Sequence, residues 1–125
     1  MQLKMLRTAA LKAATSLTSC DPELYEDRKS LGLQKSPLEG HCAAMACMIQ
    51  GMFGGDIVTG RIDGTSHYWN RLPDGQEVDL TSCQFGGDGF TPFKKGRKVK
   101  RGETINPRFI LFAQLVKEKL GEDSA

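Results

Sequence analysis

Residues 39–55, EGHCAAMACMIQGMFGG, constrain the fold more than any other stretch. Ala43, Ala44, Met45, Ala46 and Met48 are strong helix formers. Residues 41–53 are apolar on nearly every side, and Gly54-Gly55 ends the run. A helix with no polar face belongs in the interior, so 41–53 is expected to be the central helix. Gly40, His41 and Cys42 stand directly before or at its first turn. A chain of 125 residues has room for a single core, so residues 1–125 are read as one domain.

The other elements follow from periodicity and punctuation. Residues 3–18 read as a helix with Leu3, Leu6, Ala10, Ala14 and Leu17 near one face. Residues 19–40 hold Pro22, Gly32, Pro37, Gly40 and many charges, and read as a connector long enough to cover something. Residues 56–62 read as a strand, and SHYWNRLPDGQEVDLT as a β-hairpin turning at Pro73-Asp74-Gly75. Residues 84–104 are Gly- and Lys-rich and read as loop. The last segment, NPRFILFAQLVKEKLG, reads as a helix capped by Asn106, with Pro107 in its first turn and Gly121 as its stop. The expected class is α+β, a small antiparallel sheet packed on the helix that carries Cys42 at its N-terminus.

Composition excludes more than it identifies. The chain is 39% hydrophobic and 26% charged, as in ordinary globular proteins. No apolar run approaches the roughly 20 residues that span a bilayer. Lys12 interrupts the apolar part of the basic N-terminus, which reads as a first helix rather than a targeting segment. A cytoplasmic protein is expected. The net charge of +2 names no partner. Lys94, Lys95, Arg97, Lys98, Lys100 and Arg101 crowd into KKGRKVKR, a run that attracts nucleic acid or an acidic protein, or is simply a solvated loop. No aromatic residue interleaves with it, so nucleic acid is not the expected partner. Cys20, Cys42, Cys47 and Cys83 contain no C-x-x-C pair and read as reduced thiols. With His41 and His67 their spacing fits none of the common zinc patterns. No metal or cofactor is expected. Gly86-Gly87-Asp88-Gly89 lacks the strand–helix context of a nucleotide loop.

The hairpin brings the chemistry together. A turn centred near Pro73 pairs residues whose numbers sum to about 146, which places His67 opposite Asp79; a bulged version shifts the sum to about 148 and makes them diagonal neighbours. Both registers put them on one face. A thiol at a helix N-terminus, a His and an Asp are the parts of a Cys-His-Asp triad. The helix end favours thiolate, the imidazole holds the proton, and the carboxylate orients the ring. Blander readings accompany each residue. Cys42 is a small buried residue, His67 a satisfied strand histidine, and Asp79 a cap for the turn at Thr81. Around them His41 reads as a wall of the site. Trp69 reads as a shield for the ion pair, a cleft lining or core, and Asn70 as a substrate ligand or a strand end. Cys47 is expected in the core. Cys83 is expected to pack rather than act as a resolving thiol.

The pieces GHCAAMACMIQGMFGGDIVTGRI, HYWNRLPDGQEVDLTSCQF and RFILFAQLV resemble the YunG-like proteins of bacteria and phages, over roughly residues 38–116. That resemblance implies a minimal papain- or transglutaminase-like fold in a bacterial or phage-infected cell. By position it makes Cys42 the nucleophile, His67 the base and Asp79 the orienter. The family typically has Gly-Gln-Cys where this chain has Gly40-His41-Cys42; if that Gln serves an oxyanion hole, His41 must do so differently or the activity is altered. The expected function is a thiol-dependent hydrolase or acyltransferase acting on a protein or peptide. The alternative is a non-catalytic binding or inhibitory module of the same fold that uses the basic run.

Overall fold

A computed structural model describes residues 2–99 and 107–124. Its elements are α1 (Leu3–Ala13), α2 (Pro22–Ser30), α3 (Cys42–Phe53), β1 (Asp56–Ile62), β2 (Thr65–Arg71), β3 (Glu77–Val78), β4 (Arg97–Lys98) and α4 (Pro107–Ser124). Short 3-10 turns lie at Ser16–Thr18 and Ser82–Phe85. The strands form an antiparallel sheet in the order β3-β2-β1-β4. The architecture is α+β, as expected.

The apolar run at 41–53 is the centre of the packing. Met45, Met48 and Ile49 of α3 meet Leu6, Ala9 and Ala10 of α1 and Phe112, Val116 and Leu120 of α4, with Leu38 and Leu80 closing the cluster. The sheet packs on α3 through Ile57 and Tyr68, which meet Ala46 and Cys47. Gly54 ends α3, its N–H donating to the Gln50 carbonyl at 2.9 Å. Gly55 follows with φ +82, and a Cβ there would collide with the Arg71 carbonyl oxygen. Only glycine lets the chain turn so close to β2.

Four expectations change. The first helix stops at Ala13 rather than residue 18, and Leu17 is 68% exposed. The chain breaks because Thr15 and Thr18 bond each other, Thr15 N–H donating to Thr18 Oγ1 at 3.0 Å. The expected connector 19–40 contains α2, capped by Asp21, whose Oδ1 accepts from Leu24 N–H at 3.0 Å, with Pro22 at its first turn. The expected loop 84–104 contains the end of a 3-10 turn and β4, which pairs with Val58 and Thr59. The last helix runs through Gly121 to Ser124, so Gly121 is no stop. The expected cap Asn106 lies outside the described residues.

Candidate active site

His67 lies in the middle of β2, paired with Gly60 of β1, and Thr59 Oγ1 donates to its carbonyl at 2.7 Å. The turn that follows sets what its ring meets. Gly75 N–H donates to the Leu72 carbonyl at 2.9 Å and Gly75 has φ +90, a three-residue loop with glycine in the left-handed position. The pairs Asn70↔Val78 and Arg71↔Glu77 have residue numbers that sum to 148, the bulged register. His67 and Asp79 are therefore diagonal, and His67 Nε2 lies 2.6 Å from Asp79 Oδ2 with both side chains buried.

Asp79 does two jobs at once. Its Oδ2 holds the imidazole, while Oδ1 accepts from Thr81 N–H at 3.0 Å and from Thr81 Oγ1 at 3.1 Å. One carboxylate thus both caps the turn and contacts the His67 ring. Cys42 is the first residue of α3 and is half-buried. Its sulfur is a hydrogen-bond partner of the His67 ring. Burial alone would push the His67 imidazole down. The hydrogen bond to Asp79, the hydrogen bond and charge of Cys42 and the charge of Asp79 override it and raise the ring to about 9.

The ring is enclosed by aromatic side chains. Trp69 stacks on it at 5.5 Å and Phe85 meets it edge-on at 4.8 Å. Trp69 is 1% exposed, so it lines no open cleft and is packed in the interior against the His67 ring. Its Nε1–H donates to Glu77 Oε1 at 2.8 Å, and Glu77 also accepts from Gly96 N–H at 3.0 Å and Arg71 Nη2 at 3.1 Å. Trp69→Phe keeps the stack and loses this anchor. It is expected to lower the unfolding free energy by about 1–2 kcal/mol, read from urea denaturation.

The other expected site residues point elsewhere. His41, expected in the site wall, is fully buried between Tyr25 and Phe112, at ring distances of 5.7 and 5.0 Å. Burial pushes its pKa down, so the ring is neutral. Nδ1–H donates to the Glu39 carbonyl at 2.9 Å, which leaves Nε2 to accept from Thr18 Oγ1 at 2.7 Å. Asn70, expected as a substrate ligand, is buried with Nδ2 donating to the Ala46 carbonyl at 2.9 Å, and so ties β2 to α3. Packing against α2 and α4 buries His41, and packing against α3 buries Asn70. No local pattern carries that information.

Lys94, Lys95, Arg97 and Lys98 are exposed along the β4 edge of the sheet; Lys100 and Arg101 lie outside the described residues. Lys94 Nζ donates to the Arg61 carbonyl at 3.1 Å and Lys98 pairs with Asp56 at 3.4 Å. Charges at a sheet edge discourage further strand pairing. None of the four cysteines is in a disulfide. Cys47 packs beside Ala46 and Ile57, and Cys83 Sγ donates to Ser36 Oγ at 3.2 Å. Among the described residues no group of three or more His, Cys, Asp or Glu is placed to hold a metal ion.

Two features had no sequence signal. Gln84, in the 3-10 turn after Asp79, brings Nε2 to 3.4 Å from His67 Nδ1. A cavity of about 60 Å³ lies beside Gly40, two residues before Cys42, and is lined by Ser19, Leu24, Tyr25, Arg28 and Glu39 among others. No described helix is long and apolar enough to cross a membrane.

A family model described as YunG protein matches residues 3–121, from α1 to α4, and the chain belongs to that family. No curated protein and no solved structure matches the chain.

Proposed function

We propose that this YunG-family chain is a thiol-dependent hydrolase or acyltransferase, acting on an amide, ester or isopeptide carbonyl of a protein or peptide. The reading places it in the reducing cytoplasm of a bacterial or phage-infected cell. The observation that carries it is the buried His67, held at Nε2 by Asp79 and paired with Cys42. A cysteine at a helix start beside a His–Asp pair on a sheet is the arrangement of papain- and transglutaminase-like enzymes, and we read this fold as a small version of it.

In the proposed reaction the Cys42 thiolate attacks the carbonyl carbon. A C–S bond forms and the carbonyl π pair moves to oxygen. Collapse re-forms the C=O bond and breaks the bond to the leaving group, which takes the proton from His67 Nδ1. Water or an amine then attacks the thioester, returns its proton to His67 and releases Cys42. Asp79 keeps Nε2–H directed away from the thiol throughout.

The test is alkylation with iodoacetamide, followed residue by residue by mass spectrometry. Cys42 is expected to react faster at pH 6.5 than Cys20, Cys47 or Cys83. His67→Ala is expected to slow it about tenfold or more, because the thiol loses the ring that takes its proton. Equal, slow labelling of all four thiols would sink the reading. It would then favour a non-catalytic binding module, for which the exposed Lys94, Lys95, Arg97 and Lys98 supply a charged edge.

A further inference from the structure

We infer that the Gln84 carboxamide is an oxyanion donor, an assignment that rests on the thiol-enzyme reading above. The residue is held by the same carboxylate that orients the base. Asp79 Oδ1 fixes Thr81, and the Thr81 carbonyl accepts from Gln84 N–H at 3.1 Å. Gln84 thus rides on a turn locked to His67 through Asp79, and its side chain is half-buried against the site rather than extended into solvent.

The direction of its donors follows from valence. Nε2 lies 3.4 Å from His67 Nδ1, long for a hydrogen bond. The carboxamide nitrogen carries two N–H groups, and one ring nitrogen can engage only one of them. The second N–H is therefore left for another acceptor. It sits beside the ring that pairs with Cys42, on the side from which a carbonyl attacked by the thiolate can reach it. The N–H of Cys42, at the start of α3, is among the amide groups that have no partner within a helix. Together they make the two donors of an oxyanion hole. His41 does not compete for this role, because its ring nitrogens are engaged with Glu39 and Thr18.

As Cys42 Sγ bonds to the carbonyl carbon, the π pair becomes an oxyanion held by Gln84 Nε2–H and the Cys42 N–H. When it collapses, the C=O bond re-forms and the leaving group departs with the pair from its broken bond. Alkylation by iodoacetamide differs at this point. The thiolate displaces iodide at a saturated carbon, and no oxyanion forms.

Two reactions on the full-length protein therefore test the assignment. One is the burst of p-nitrophenolate from p-nitrophenyl acetate, corrected with Cys42→Ala. The other is iodoacetamide alkylation of Cys42. In Gln84→Ala and in the shape-preserving Gln84→Met, acylation is expected to slow about 10²-fold while alkylation proceeds at the wild-type rate. If both reactions slow together, Gln84 acts on the His67–Cys42 pair and the assignment is wrong. It is equally wrong if neither slows. Wild-type protein in which Cys42 alkylates no faster than the other thiols overturns the thiol-enzyme reading and this one with it; fast alkylation with acylation insensitive to Gln84 overturns this one alone.

Discussion

Asp79→Ala is expected to lower the unfolding free energy by about 3–5 kcal/mol and to abolish the preferential alkylation of Cys42. The size follows from burial. His67 is fully enclosed between Trp69 and Phe85, and Asp79 is its carboxylate partner. Removing it leaves a buried imidazolium to be neutralised, and strands Thr81 N–H and Oγ1, which both donate to Oδ1. Asp79→Asn separates charge from shape. Its amide oxygen still accepts from Thr81, and its NH₂ donates to Nε2, which forces Nε2 to be the unprotonated nitrogen. The ring then keeps its place but not its charge. The Asp79→Asn variant is therefore expected to retain most of the stability and to lose the fast alkylation. Urea denaturation and iodoacetamide kinetics on the two variants check both halves. Equal stability loss in Asp79→Ala and Asp79→Asn would mean that charge, not hydrogen bonding, holds this part of the fold.

The parts of the site that were legible are those fixed by local chemistry. Cys42 at a helix start follows from the Ala- and Met-rich run behind it. The His67–Asp79 juxtaposition follows from Pro73-Asp74-Gly75, because that turn chemistry favours an even register, which puts both on one face where a two-residue loop would not. Trp69 shares that face by alternation. The parts that were not legible are set by distant packing. His41 and Asn70 look like site residues because they neighbour Cys42 and His67 in sequence, yet α2 and α4 bury one and α3 the other. Helix α2 escaped because Tyr25 is its only buried residue, so it shows no periodicity; Asp21-Pro22 was its one signal. Strand β4 is two residues long and forms because β1 offers an open edge. Gln84 sits on a four-residue turn, too short to carry a pattern.

The midpoints of the two histidines should be displaced in opposite directions from 6.5 in one proton NMR titration, and this is the sharpest spectroscopic test of the site. The chain contains only His41 and His67, so assignment needs a single variant. His67 is expected to lose its proton at about 9 and His41 below the ordinary 6.5. For His67, the shift from 6.5 to about 9 corresponds to about 3 kcal/mol at about 1.4 kcal/mol per tenfold change in proton affinity. Folding raises its affinity for the proton, so its stabilising contribution is complete below pH 6.5 and fades as pH rises through about 9. His41 works the other way. Its native ring is neutral, the unfolded chain binds the proton more readily, and stability falls as pH drops below about 6.5. Melting temperature blurs these effects, because a thiol in the unfolded chain titrates near about 8.5, inside the His67 window. The ring C–H shifts do not. In Cys42→Ala the His67 midpoint is expected to fall, since two of its four supports, the hydrogen bond and the charge of Cys42, are gone while the burial that opposes them remains. The His41 midpoint is expected to stay where it was. A His67 midpoint near 6.5 in the wild type, or one that does not move on losing Cys42, would mean that thiol and imidazole are not paired, and the proposed nucleophile would have no base.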